Sequence, residues 1–253
     1  MFLPNAIKQI RLILIPIVAL SLIQSSSAQV GSDTTHWKWT PSAAHHDAVV
    51  QVKTETGVGT GVIVHVFKTR PVAGGFEGLC LTANHVVSDS VEKQTIKVVY
   101  GNGKKAKRCK VVSSNEDSDI ALLWVWVPAT IEPAVVAPAG VEPGETLEFS
   151  GLGGGSTLKS IRHFGSESQS PTDHNLIYAS VALLPGDSGG PVFNAKSQVV
   201  GIISGGWFWF DGGVKSRSGH TVNVTWPARA CNRDPLAALV TAGIARHSDL
   251  VSR

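Results

Sequence analysis

The chain has 253 residues, 43% hydrophobic and 16% charged, and 22 basic against 19 acidic side chains give a formal net charge of +3. So mild a balance says little for a nucleic-acid or membrane-surface partner. Three cysteines (Cys80, Cys109, Cys231) allow one disulfide at most, and spacing does not choose the pair.

Residues 1–28 read as a secretory signal peptide. Lys8 and Arg11 form a positive start, Leu12 to Ile23 is an apolar run broken by Pro16, and Ser26-Ser27-Ala28 offers small residues for cleavage. An uncleaved anchor is the alternative reading, disfavoured by the shortness of the run. Removing Lys8 and Arg11 leaves 20 basic residues against 19 acidic, a net charge of +1. A secreted or periplasmic protein is expected, with no stable membrane association after cleavage and no nucleic-acid partner. The oligomeric state is left open.

Residues 29–47, with Trp37, Trp39 and the pair His45-His46, read as a loosely ordered arm whose adjacent histidines are solvated. Many short β-rich runs between Gly and Pro signals then indicate an all-β chain. Val49 to Thr54 alternates as a strand, and Gly59-Thr60-Gly61 opens a second. Gly57-x-Gly59-x-Gly61 has the wrong spacing for a nucleotide loop, so a β-turn is expected there. The apolar run Gly78 to Leu81 leads to His85, and Thr95 to Tyr100 and Ala106 to Val112 flank the hairpin signal Asn102-Gly103. Lys104 to Arg108 is read as a solvated hairpin face. Leu122 to Val127 completes about six strands, enough for a small barrel at residues 48–127, with Trp124 and Trp126 packing on one face.

Residues 128–146, carrying Pro128, Pro133, Pro138 and Pro143, read as a stiff crossing linker. Residues 147–253 hold a second set of strands: Thr146–Ser150, Lys159–Phe164, Leu176–Val181, Pro191–Asn194, Val199–Ser204 and Thr221–Trp226. Gly151-Leu152-Gly153-Gly154-Gly155 imitates a phosphate loop, but no helical run follows it. Asp234 to Ala245 is the one credible helix, with Asp234 as N-cap and Pro235 at its first position.

Chemistry concentrates in Gly186-Asp187-Ser188-Gly189-Gly190-Pro191. A serine hydroxyl is a weak nucleophile and needs a base, a group to orient the base, and donors for the oxyanion it creates. Flanking glycines permit a tight turn and leave backbone N–H groups available. Thr82-Ala83-Asn84-His85-Val86-Val87 supplies a base and Ser118-Asp119-Ile120-Ala121-Leu122-Leu123 a carboxylate, in the order His, Asp, Ser. Glu116 and Asp117 compete with Asp119 for that role. On these motifs the chain resembles the trypsin-like (chymotrypsin-fold) serine proteases, and most the HtrA/Deg-type branch, over residues 48–226.

The resemblance implies two six-stranded antiparallel Greek-key β-barrels with a short C-terminal helix. It implies catalysis by His85 as general base, Asp119 as its orienting carboxylate and Ser188 as nucleophile, with the N–H groups of Gly186 and Ser188 as the oxyanion hole. Ala182, Ser204, Gly205 and Gly206 would bind substrate. Val200 to Gly206 would pair with the substrate backbone by strand addition, and the uncharged Ala182 near the pocket base favours a small or apolar P1 side chain. His220 is read as a loop histidine, and Trp207-Phe208-Trp209-Phe210 as either a substrate rim or packing.

Three departures qualify the likeness. No Ile-Val-Gly-Gly segment is present to activate the chain as in trypsin-type zymogens. Asp187 stands where the HtrA/Deg branch usually has Asn, and if buried it needs a partner. The residues after Trp226 are too few for a PDZ domain. The expectation is a serine endopeptidase acting on polypeptide substrate, with no cofactor and no metal. A catalytically weak relative that binds extended polypeptide is the alternative, and an esterase would share the mechanism.

Overall fold

A computed structural model describes residues 44–90, 95–101, 103–107, 109–141, 145–153, 160–169, 176–179, 183–215 and 221–251. A short helical turn α1 (Ala44–Asp47) leads into β1 (Val49–Lys53), β2 (Val58–Val72) and β3 (Gly75–Ala83). Helix α2 (Asn84–Val87) follows, then β4 (Lys97–Val99), β5 (Lys105–Lys107), β6 (Lys110–Asn115) and β7 (Ile120–Pro128). The β-branched runs bury Val49, Val50, Val52, Val62, Ile63 and Ile120 to Leu123 together, the arrangement expected of strands covered on one or both faces.

These strands form an antiparallel sheet of order β5-β4-β1-β2-β3-β7-β6. It has seven strands rather than six because the run Ala106–Val112 divides. The Cys109 N–H donates to Ile96 O at 3.1 Å, so β5 pairs with β4 while β6 starts afresh beside β7. The β4–β5 hairpin turns at Gly103, with φ +79°, as its Asn-Gly signal predicts. Lys104 and Lys105 are exposed before the buried Ala106, while the side chains of Lys107 and Arg108 lie outside the described residues.

The second sheet comprises β8 (Thr146–Gly151), β9 (Ser160–Gln169), β10 (Leu176–Ala179), β11 (Pro191–Phe193), β12 (Val199–Lys215) and β13 (Thr221–Asn232). It closes in the order β10-β13-β12-β11-β8-β9. β12 and β13 are longer than expected. Gly205-Gly206 does not end β12; the β12–β13 register shifts between Ile203 and Gly205, a bulge that keeps the strand running. Trp207–Phe210 therefore lies within β12, its side chains outside the described residues, as is His220.

The proline-rich segment between the sheets is tied to both. Ala134 N–H donates to Ile63 O at 2.8 Å, and Ala137 N–H to Val199 O at 2.9 Å. Helix α3 (Arg233–Val251) is longer than the expected Asp234–Ala245, since residues 246–251 contain neither Gly nor Pro to stop it. Its Leu236 and Val240 bury against the first sheet. A β-carbon on Gly243 would lie 2.3 Å from Leu122 Cδ2, so glycine there permits the close approach. The architecture is the all-β, chymotrypsin-like class. No helix among the described residues is long and apolar enough to cross a membrane.

Two expectations about the first described residues are corrected. Residues 44–47 are helical rather than loose, and the histidines expected in solvent are not: His46 is 4% exposed and His45 half-buried. Cys80 and Cys109 are both buried thiols, and Cys231 lies on β13 with its side chain outside the described residues. Burial pushes the Cys80 thiol far up and the Cys109 thiol to about 11.

Candidate active site

Strand register brings the base and the carboxylate together. In the antiparallel β3–β7 ladder Ala83 pairs with Ile120, so the chain leaving β3 meets the chain entering β7. Asn84 N–H donates to Asp119 O at 3.0 Å and His85 N–H to Asp119 Oδ1 at 2.9 Å. The imidazole Nδ1 of His85 bonds Asp119 Oδ2 at 2.7 Å. Asp119 has φ +50°, a left-handed conformation that Asp tolerates better than most residues. Glu116 and Asp117 are exposed on the preceding turn, so Asp119 alone of the three reaches the histidine.

Ser204, on β12, donates its hydroxyl to Asp119 Oδ2. Burial opposes the Asp119 charge, but the hydrogen bonds from His85 and Ser204 outweigh it and hold the carboxyl below its usual 3.8. Ser204 thus supports the carboxylate, a task its reading as a substrate contact did not include. Its carbonyl oxygen also accepts the Ser188 hydroxyl at 3.4 Å. Among the described residues no hydrogen bond joins Ser188 Oγ to His85.

The Ser188 loop consists of two consecutive turns. Asp187 N–H donates to Leu184 O and Gly190 N–H to Asp187 O, each at 2.9 Å. In each turn the third residue is glycine at positive φ, Gly186 at +95° and Gly189 at +86°. Leu184-Pro185-Gly186-Asp187 accordingly has the Pro-Gly chemistry and the glycine φ of a type II turn. The N–H groups of Asp187, Gly189 and Gly190 are all bonded, Gly189 to Ile203 O at 2.7 Å. Among the described residues those of Gly186 and Ser188 have no partner.

Asp187 is fully buried, and two backbone N–H groups meet its carboxylate. Oδ1 accepts Gly153 N–H and Oδ2 accepts Leu184 N–H, each at 2.8 Å. β-carbons on Gly151 and Gly153 would lie 2.3 and 2.5 Å from Asp187 Oδ1. Gly151 and Gly153, from the segment that imitates a phosphate loop, therefore make room for this carboxylate.

Thr60, fully buried in β2, couples the loop to the first sheet. Its N–H donates to Ser188 O at 2.8 Å and its hydroxyl to Gly186 O at 2.7 Å, while Leu152 N–H donates to that hydroxyl at 3.1 Å. Thr82 in turn donates to Thr60 O at 2.7 Å. The sequence signal for Thr60 is its place between Gly59 and Gly61, read only as a strand opening.

β12 lies between β11 and β13 up to Ile203, with Pro191 opposite Ile202 and Ala230 opposite Ile203. The edge available for strand addition among the described residues starts at Ser204, not at Val200. Among the described residues a β-carbon on Gly205 would meet nothing within 4 Å. Ala182 lies outside the described residues.

The fold and this constellation define a class: a chymotrypsin-like double β-sheet protein with a serine, histidine and aspartate at the junction of the sheets. The chain matches the Trypsin-like peptidase domain family over residues 59–202, more than half its length, and belongs to that family. It is 31% identical over 153 residues to a probable periplasmic serine protease do/HhoA-like of Haemophilus influenzae, covering 58% of this chain and 30% of that protein. It is 26% identical over 198 residues to the serine protease Do-like HtrA of Lactobacillus helveticus, covering 74% of this chain and 45% of that protein. The chain thus spans less than half the length of either. The structure of an HtrA-type protease AlgW with tripeptide superposes with a TM-score of 0.57 at 20% identity, covering 81% of this chain and 62% of that one.

Proposed function

We propose that the protein is a serine endopeptidase of HtrA/Deg character, exported to the periplasm or beyond, that hydrolyses polypeptides through an acyl-enzyme. His85 Nε2 takes the Ser188 proton as Oγ attacks the scissile carbonyl, and Asp119 steadies the imidazolium through Nδ1. The oxyanion sits between the N–H groups of Gly186 and Ser188. Return of the proton to the leaving amine breaks the C–N bond. Water activated by the same imidazole then releases the acyl group and restores Ser188.

The observation that carries this reading is the selective bonding of the loop. Of the N–H groups from Gly186 to Gly190, the two needed at an oxyanion are the two without partners among the described residues. Export rests on the sequence of residues 1–28 and on the periplasmic naming of relatives such as the Haemophilus protein. A small or apolar P1 preference rests on Ala182.

A second reading, a latent protein that binds extended polypeptide at the same cleft, is favoured by one observation: the Ser188 hydroxyl bonds Ser204 O rather than His85. A serine hydroxyl rotates readily between partners, and apo serine–histidine bonds are often long. The test is hydrolysis of unfolded casein and of a P1-varied peptide library by the wild type and by His85→Ala. Turnover lost in the variant supports the peptidase; saturable peptide binding without turnover supports the latent binder.

A further inference from the structure

Away from the Ser188 cleft, two imidazoles and a carboxylate converge across the boundary between the sheets. His45 and His46 come from α1, just before β1, and Glu148 from β8. Both Nε2 atoms contact one oxygen, Glu148 Oε1, with His45 at 3.2 Å and His46 in direct hydrogen-bonding contact. The three ligand atoms lie within 4.8 Å of one another. The side chains of His46, His45 and Glu148 are 5%, 16% and 19% exposed, so the group is largely withdrawn from solvent.

We propose that His45, His46 and Glu148 form a binding site for a divalent transition-metal ion, with Zn2+ the best fit. Imidazole nitrogen and carboxylate oxygen are donors that Zn2+ takes at about 2.0–2.2 Å, and a tetrahedral ion at that range spaces its donors about 3.4 Å apart. The existing separations, 3.2 Å for His45 Nε2 to Glu148 Oε1 and none above 4.8 Å, span that spacing, so the three donors are already near the reach of one ion. Protein ligands fill three positions and water the fourth. Each bound Nε2 gives up its proton or moves it to Nδ1, since the ion takes the lone pair.

The surroundings suit an ion better than a simple pair. Phe193, fully buried, places its ring 4.8 Å from His45 and 6.1 Å from His46, closing one side with apolar surface. Phe193 is also the cross-strand partner of Glu148. Glu148 Oε1 contacts both Nε2 atoms, so one carboxylate oxygen already faces both nitrogen donors. The sequence hides the site because its donors stand 102 and 103 residues apart.

The ion would staple α1 to β8, whose end at Gly151 cradles Asp187. The site stands apart from the proposed chemistry, so its test does not depend on turnover. Full-length protein, stripped with chelator, is titrated with ZnCl2 by calorimetry and with CoCl2 by visible absorption, and melted with and without Zn2+. The expected result is one saturable equivalent and, at about 100 times Kd, an about 100-fold shift of the folding equilibrium toward the native state. Glu148→Gln should lose the site. His45→Ala, the least disruptive change, should weaken it by more than the roughly 10–100-fold typical of an outer-shell partner. No saturable binding by the wild type, or equal binding by both variants, overturns the proposal.

Discussion

Replacing Gly186 with alanine separates backbone conformation from packing at the oxyanion turn. A β-carbon there would meet Gly153 Cα at 3.5 Å, Leu152 O at 3.6 Å and Val58 O at 3.7 Å, all ordinary contacts. Space is not the obstacle; φ of +95° is. A β-carbon in the left-handed region costs about 1–2 kcal/mol. The turn can relieve that strain by rotating the Pro185–Gly186 peptide into the type I form, where the third residue has negative φ. That rotation turns the Gly186 N–H away from the proposed oxyanion. The expected variant is folded, destabilised by no more than about 2 kcal/mol, and slower in acyl transfer by about 10²–10³-fold, the loss typical of one oxyanion donor. The assay is the fluorophosphonate labelling rate, with a thermal melt beside it. A folded Gly186→Ala protein labelled within about tenfold of the wild-type rate would refute the role given to this N–H.

Gly189→Ala should behave oppositely: its β-carbon would fall 2.1 Å from Thr60 O and 2.3 Å from Thr82 Oγ1, so loss of soluble folded protein is expected. Thr60→Val keeps the shape but leaves Gly186 O and Leu152 N–H unpaired. About 1–3 kcal/mol for each is the expected loss in urea titrations, with slower labelling as Gly186 loosens. Asp187→Asn retains one acceptor and sets an amide N–H2 against a backbone donor, for a loss of about 1–3 kcal/mol in the same titrations. Asp119 has its folded pKa below 3.8, so its charged form stabilises the native state above that pH and the contribution fades as pH falls through the folded value. The stability gap between wild type and Asp119→Asn, measured by urea titration across pH, should close in acid; a gap that widens in acid contradicts the assignment.

Local patterning made the strands and the β4–β5 hairpin legible, because each depends on alternation or a turn pair, while the joining of His85 to Asp119 was legible through the resemblance of their motifs to a known family. What remained hidden depends on separations that sequence does not encode. Asp187 is stabilised by the Gly153 N–H, 34 residues away, and the glycine run that permits it looks like a loop for phosphate. The alternation marks a strand over Val199–Ser204, yet the paired β12–β13 ribbon runs on past Gly205 and absorbs it as a bulge. The polar pair His45-His46 looked solvated because nothing nearby in sequence announces Phe193 and Glu148 as its neighbours.

The central claim is that Ser188 is an activated nucleophile. The direct measurement is labelling of purified protein with a fluorophosphonate probe, the adduct located by mass spectrometry, beside Ser188→Ala. The account predicts one equivalent on Ser188, absent in the variant. A folded wild type that takes no label, or one labelled elsewhere and equally in Ser188→Ala, would contradict it.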